Sequence, residues 1–379
     1  MDARDRPRVA VVRADRRRAA VAEALHLIAD DLRVAVRGEV VLKPNLVSSR
    51  RQLASTHADA LSATLDALFA AGAAEITVAE GATDASAGFE RFGLRREAFG
   101  RPVQFLDINR DEHDWESLIL HRADGSPTSA RLSSTIARAG CRVSLALMKT
   151  HVISHATFGL KNMLSSIHPE DRPLMHGNPA GGNGFRGWRR HAVEFLKGDS
   201  WLVNRLTRAM GRARRFKHAL RRLDREDGVA RFSAADRAFR RGAETLDRNL
   251  ATLATRTKPH VTVLDGFEAM HREGPRHGSP IRLGLAVAGT DALAVDAVAA
   301  ALMGIDPAEV GHLVEASRLG LGTIDLDAIE IVGDPIATVR RRCVPHSNAA
   351  IVRRRPEAVA DRSALSGPHR VRSRESVEQ

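Results

Sequence analysis

The sequence predicts an α/β fold: a mostly parallel sheet with helices on both faces, plus a basic helical insert and a flexible basic C-terminal tail. Three observations predict it. Apolar runs of strand length end abruptly in polar residues, and helical periodicity follows several of them. The runs are apolar without alternation, as strands buried on both faces must be.

In chain order, Val40 to Leu42 reads as the end of a buried strand running into Lys43-Pro44-Asn45. Thr56 then reads as a helix N-cap with Asp59 as its capping-box partner. Leu61, Leu65, Leu68 and Phe69 form that helix's apolar stripe, and Gly72 stops it. Ile76 to Ala79 is the next strand and runs into Glu80-Gly81, closing a βαβ unit. Val103 to Leu106 is a weaker strand. Arg131 to Ala139 reads as helix, and Arg142 to Met148 as a strand ending in Lys149-Thr150-His151. In the second half, Val261 to Leu264 ends in Asp265-Gly266 and Leu283 to Ala288 ends in Gly289-Thr290-Asp291. Ala292 to Met303 is apolar all round and must be a buried helix. Pro307 to Arg318 suits a helix with proline in its first turn, and Ala328 to Val332 a last strand.

Residues 1–338 therefore form one α/β domain, interrupted by an insert at about 169–256. The insert opens as a glycine-rich loop. Across 201–223, Leu202, Leu206, Met210, Ala213, Phe216, Leu220 and Leu223 recur every three to four positions between arginines, which makes a basic amphipathic helix. Residues 339–379 lose periodicity and read as a mobile basic tail.

With 43% hydrophobic and 27% charged residues, the 379-residue chain has a globular composition. It has no Tyr, which removes one common general acid. Two cysteines, Cys141 and Cys343, cannot build a disulfide framework, nor supply the four thiolates of an iron–sulfur cluster or a Cys-rich zinc site. Cys141, entering an apolar strand, reads as a buried structural thiol. No apolar run is long enough to span a bilayer and the charged N-terminus lacks a signal core, so the expected compartment is the cytoplasm. The net charge of +12 is local: Arg186 to Arg222 holds 12 basic residues against 2 acidic, and Arg340 to Gln379 holds 10 against 4. The remaining core is slightly acidic, a distribution that argues against a sequence-specific nucleic-acid partner.

The chemistry lies at the strand ends. Lys43 and Asn45, Glu80, Lys149 and His151, Asp265, and Thr290 with Asp291 each follow an apolar run. In a parallel sheet the carboxyl ends share one edge where ligands bind, so these residues are expected in one crevice. Lys149 and His151 with Lys161 and Asn162 are the densest group, able to hold a carboxylate or phosphate and to move a proton. Crowded ammonium groups at Lys43, Lys149 and Lys161 disfavour each other's charge, and a lysine poised nearer neutrality is a competent base. His151 is then the partner acid or the residue that orients the base. Asp296, inside an apolar helix, either pairs with a site lysine or anchors a loop backbone. Asp291 begins that helix, where the dipole favours an anion. His151 and His155 have the i, i+4 spacing of one helix face and are weak candidates for a divalent metal, without an HExxH pattern. Gly182 to Gly187 matches GxGxxG but follows no strand, so it is not a dinucleotide fingerprint.

Together these residues resemble a known family, domain of unknown function 362. The resemblance rests on "VVLKPNL" at Val40, "STHADALSATLDALFAAGAAEITVAEG" from Ser55, "MKTH" at Met148 and "GLKNML" from Gly159. It continues in "HVTVLDGFEAM" from His260, "EGPRHGSP" from Glu273 and "VAGTDALAVDAVAAALMGIDP" from Val287. It implies that Lys43, Asn45, Lys149, His151, Lys161, Asn162, Asp265 and Asp291 belong to one site. Many members look like they carry a ferredoxin-like iron–sulfur module. This chain has no CxxC run, so no self-supplied cluster is expected.

Three function classes follow. The first is an enzyme acting on a small anionic substrate by Lys/His proton transfer, of isomerase, epimerase or lyase type. The second is a redox or metal-cofactor protein relying on a partner's cluster. The third is a binding or scaffold protein that sets its basic helix on an acidic protein or anionic lipid. Homo-oligomerisation stays open.

Overall fold

The computed structural model describes residues 6–82, 84–95, 98–110, 114–178, 205–214 and 233–354. Its strands are β1 (Arg8–Arg13), β2 (Val40–Lys43), β3 (Ile76–Glu80), β4 (Val103–Asp107), β5 (Trp115–His121), β6 (Pro127–Ser133), β7 (Cys141–His151), β8 (His155–Thr157), β9 (Val261–His271), β10 (Ser279–Ile281), β11 (Leu285–Gly289) and β12 (Glu330–Gly333). The helices that matter for the site are α1 (Arg17–Leu27), α2 (Ala58–Ala70), α3 (Gly159–Asn162), α4 (Ala234–Thr257), α5 (Ala292–Leu302) and α6 (Gly311–Arg318).

The main sheet runs β12-β1-β11-β9-β7-β2-β3-β4. β9, β7, β2, β3 and β4 are mutually parallel, and β12 pairs parallel with β1. β11 pairs antiparallel with both β1 and β9, so it alone among these eight runs the other way. This corrects the expectation that all the strand ends share an edge. Gly289 lies opposite Val9 and Thr262, the starts of β1 and β9. Thr290 and Asp291 therefore sit on the edge opposite Lys43 and Lys149.

Alternation along β1 shows how the layers form: Val9 and Val11 face one core, Ala10 and Val12 the other. On one side α1 and α2 bury Val21, Leu25, Leu61, Leu65 and Leu68 against Leu42, Val143 and Val263. On the other, α5 and α6 bury Leu293, Val298 and Leu313 against Met148, Leu264 and Val287. Helices thus cover both faces. β5 and β6 form a separate hairpin over the segment expected to open a helix at Arg131; only Ser134–Arg138 is helical. The N-cap of α2 is His57, whose Nδ1 accepts from Asp59 N. The Thr56 hydroxyl instead accepts from Asn45 N at 2.8 Å, bracing the loop after β2.

The supposed insert is only partly peripheral. α4 begins with a full capping box at Ser233 and Asp236, and its Leu246, Leu250 and Leu253 pack with the β5–β6 hairpin. Residues 205–214 are helical, with Leu206 and Met210 exposed; the rest of 201–223 lies outside the described residues, as does the GxGxxG stretch. The tail expected from residue 339 packs on the body up to 354, burying Cys343, Ile351 and Val352. Residues 355–379 are not among those described.

Candidate active site

A polar chain runs beneath the carboxyl edge of β2, β3 and β7. Glu80, fully buried, accepts hydrogen bonds from Lys43 Nζ at 2.6 Å, Ser165 Oγ at 2.6 Å and the backbone amides of Leu46, Gly81 and Ala82. Burial pushes its carboxyl up, but Lys43 and this set of donors outweigh it and hold Glu80 below the usual carboxylate range. Glu80 is therefore an anion, and Lys43 is its counter-ion.

From Lys43 the chain continues through two amides whose orientation the lysines fix. Lys149 Nζ donates to Asn45 Oδ1 at 2.5 Å, so Asn45 must turn its Nδ2 toward Asn162 Oδ1, 2.8 Å away. Asn162 Oδ1 also faces Lys43 Nζ at 3.5 Å, while its Nδ2 donates to Lys43 O and Ser144 Oγ. Ser144 Oγ passes its own proton to Gly159 O. Each bond of the chain pairs a donor with an acceptor, and neither amide can flip without placing two like groups face to face.

Lys149 is placed by an irregularity. The β7–β9 register shifts between Leu147, opposite Asp265, and Lys149, opposite Met270; bulges of this kind re-aim side chains beside functional sites. Its Nζ also donates to Ala54 O at 3.1 Å. Burial, helped by Arg276, brings the Lys149 pKa down to about 7, with only Glu80 opposing among nearby groups.

His151 ends the same strand. Its Nδ1 accepts from the amides of Ile153 and Ser154, so the neutral ring carries its proton on Nε2. Burial, then the charge of Lys161, holds His151 well below its ordinary pKa. It is a hydrogen-bond donor, not a base. His155 does not share a helix face with it: the two oppose each other in the tight β7–β8 hairpin. His155 Nε2 lies 3.6 Å from Glu309. Among the described residues no group of three His, Cys, Asp or Glu side chains is arranged to hold a metal.

α3 carries Lys161 and Asn162, and Asp296 fixes it. The two carboxylate oxygens of Asp296 accept from Gly159 N at 2.8 Å and Leu160 N at 2.9 Å. Of the two roles open to Asp296, the backbone anchor is the one found. Burial raises its pKa to about 7 despite those bonds.

Above the chain opens a cavity of about 820 Å³. Asn45, Lys149, His151, Lys161 and Asn162 line it, joined by Arg50, Arg172, His176 and Arg276. The sequence reading named none of these three arginines, and noted His176 only among the histidines that follow His155. Arg276 lies within the quoted "EGPRHGSP" and could have been found there; Arg172 and His176 lay in what read as insert. Lys43 and Glu80 are buried below the cavity rather than lining it. Asp265 is turned away, 3.0 Å from Arg17 on α1. Thr290 and Asp291 are absent from the site; Asp291 caps α5 through Leu293 N and Ala294 N.

The class so defined is an α/β protein with a basic, lysine-centred cavity at the carboxyl edge of its sheet. The chain belongs to the family described as domain of unknown function (DUF362), whose model matches residues 40–301. Among curated proteins, the thylakoid-associated protein sll1697 of Synechocystis sp. is 36% identical over 72 residues, which is 19% of this chain and 22% of that protein. The match thus spans about a fifth of that relative's length. Among solved structures, the lactate racemase apoprotein of Thermoanaerobacterium thermosaccharolyticum aligns with a TM-score of 0.41 and 13% identity, over 83% of this chain and 57% of that one. Among the described residues no helix is long and apolar enough to cross a membrane.

Proposed function

We propose that the protein is an enzyme that takes a proton from carbon in a small carboxylate- or phosphate-bearing substrate, with Lys149 as the base. One observation carries this reading. As a neutral amine Lys149 has two N–H groups, and both have acceptors in Asn45 Oδ1 and Ala54 O. The third position on nitrogen is then a lone pair on a residue lining the cavity. A pKa of about 7 leaves that lone pair available at neutral pH.

The step balances simply. The substrate C–H bond breaks as a new N–H bond forms on Lys149, and the electron pair moves onto the adjoining carbonyl or carboxyl oxygen. His151 Nε2–H donates to that developing oxyanion, and the cavity's cations hold the substrate's own charge. Lys149 then returns the proton to a neighbouring carbon, or to the opposite face of the same carbon once the planar intermediate has turned over, or a leaving group departs. These are the isomerase, epimerase and lyase outcomes.

The test needs no known substrate. The chain has six lysines, so selective ¹³C-lysine labelling gives a short set of Cε resonances, and a Lys149→Met variant assigns one of them. That resonance should titrate near 7. Deuterium wash-in from heavy water into a panel of small carboxylates and phosphates should then depend on Lys149. Titration at the ordinary lysine value would remove the base and the proposal with it.

A further inference from the structure

Lys161 has no part in the proton transfer, yet it is 8% exposed and lines the cavity. Its ammonium makes no hydrogen bond to any described residue. The acid that acts on it, Asp247, lies beyond ion-pair distance. The Asp247 carboxylate occupies the place where a side chain on Gly311 would go and faces His312 at 3.7 Å. A buried cation left this way is costly unless something else supplies the anion.

Three more cations share the cavity, each from a different segment: Arg50 after β2, Arg172 beyond α3, and Arg276 between β9 and β10. Arg172 is tied at Nε and Nη2, but only to uncharged oxygens, those of Ile167, Asn109 and Ser165. Among the described residues Asp84 is the acid in the lining, and its Oδ1 already caps Ala87 N and faces Arg110 at 3.8 Å. Among the described residues, a single carboxylate would answer only one of the charges on Lys161, Arg50 and Arg172. It would also fill little of a cavity whose size lies in the upper part of the ~300–1,000 Å³ range of ligand pockets. Among the described residues the lining holds no Phe or Trp, so recognition there rests on charge and hydrogen bonds.

We infer that the substrate carries two separate anionic groups, a phosphorylated carboxylate or a dicarboxylate, and that Lys161 receives the group remote from the reacting carbon. This rests on the proposed function for the identity of the reacting end, but its charge argument stands independently. Calorimetric titration of the full chain with 2-phosphoglycolate, glycolate and inorganic phosphate tests it. The two-anion probe should bind at least tenfold more tightly than either single-anion probe. Lys161→Met should erase most of that preference, by about 10- to 100-fold, while glycolate binding changes little. Lys161→Arg, which keeps the charge, and Arg50→Gln, at an exposed position, provide variants if Lys161→Met does not fold. Lys161→Arg should retain the preference and Arg50→Gln should reduce it. Equal affinity for all three probes, no binding of any, or a uniform loss across probes in these variants would overturn the inference. Because binding is read at equilibrium, an ordinary titration of Lys149 would end the proton-transfer reading and leave this one standing.

Discussion

Lys149 is one of only six lysines in a chain that has 52 arginines, and three of the six are Lys43, Lys149 and Lys161. At these three buried positions only lysine can titrate, because a guanidinium does not give up its proton in a protein. The buried amine also leaves a signature in stability. A base whose folded pKa is lowered to about 7 from 10.5 binds fewer protons folded than unfolded between those values. Its contribution is fully present above the unfolded pKa and is lost as pH falls through about 7. Thermal unfolding of the wild type should therefore strengthen relative to Lys149→Met between pH 7 and 10, by an amount of order a few kcal/mol. A pH-independent difference between the two would mean that Lys149 is not neutral in the fold. The residues themselves were legible, since Lys149, His151, Lys161, Asn162, Asn45 and Glu80 all fall in or directly beneath the cavity. Their division of labour was not, because it depends on which amide atom faces which lysine.

At the level of elements, α3 shows how a four-residue helix can be held rigidly. Its first two amides end on Asp296, and Gly159 packs so closely that a Cβ there would stand 2.3 Å from Thr262 Cγ2 and 3.1 Å from Asp296 Oδ1. Gly159→Ala should push α3 off its anchor, destabilising the protein by about 1–3 kcal/mol and weakening anion binding through Lys161 and Asn162. Denaturant midpoints and the phosphoglycolate titration would report both; a stable variant with unchanged binding would show that α3 is not the positioning device. Elements with continuous apolar runs, such as β2, β3, β7 and α5, were readable for that reason. β1 was passed over because arginines flank Val9 to Val12. In the β5–β6 hairpin burial does alternate, but Ile119 puts an apolar residue on the exposed face and β6 offers only Ala130 and Leu132 inward, so the sequence shows no clean period.

On the scale of the molecule, strand direction decides which residues can cooperate. The apolar run of β11 carries no sign of its direction, but its connection does. Only Arg272 to Gly284 lie between β9 and β11, with β10 among them and no helix. A parallel crossover usually runs through a helix and this link holds none, which favours antiparallel pairing. The physical consequence is that Asp291 is a cap and nothing more. Asp291→Ala should cost about 0.5–2 kcal/mol of stability and leave phosphoglycolate affinity and Lys149 titration unchanged. Loss of binding in a folded Asp291→Ala protein would place it in the site after all.

The amide of Asn45 leaves the protein open to slow chemical ageing. Deamidation to aspartate would alter almost nothing in size, yet it would set a carboxylate where Lys149 now meets a neutral oxygen. A new anion in contact with a buried amine favours its protonated form, so the aged molecule would hold its lysine charged and its lone pair closed. Deamidation would also set an oxygen against Asn162 Oδ1 where Asn45 Nδ2 donates now, a repulsion that opposes the new ion pair. Stability and reactivity would thus be set against each other at one side chain.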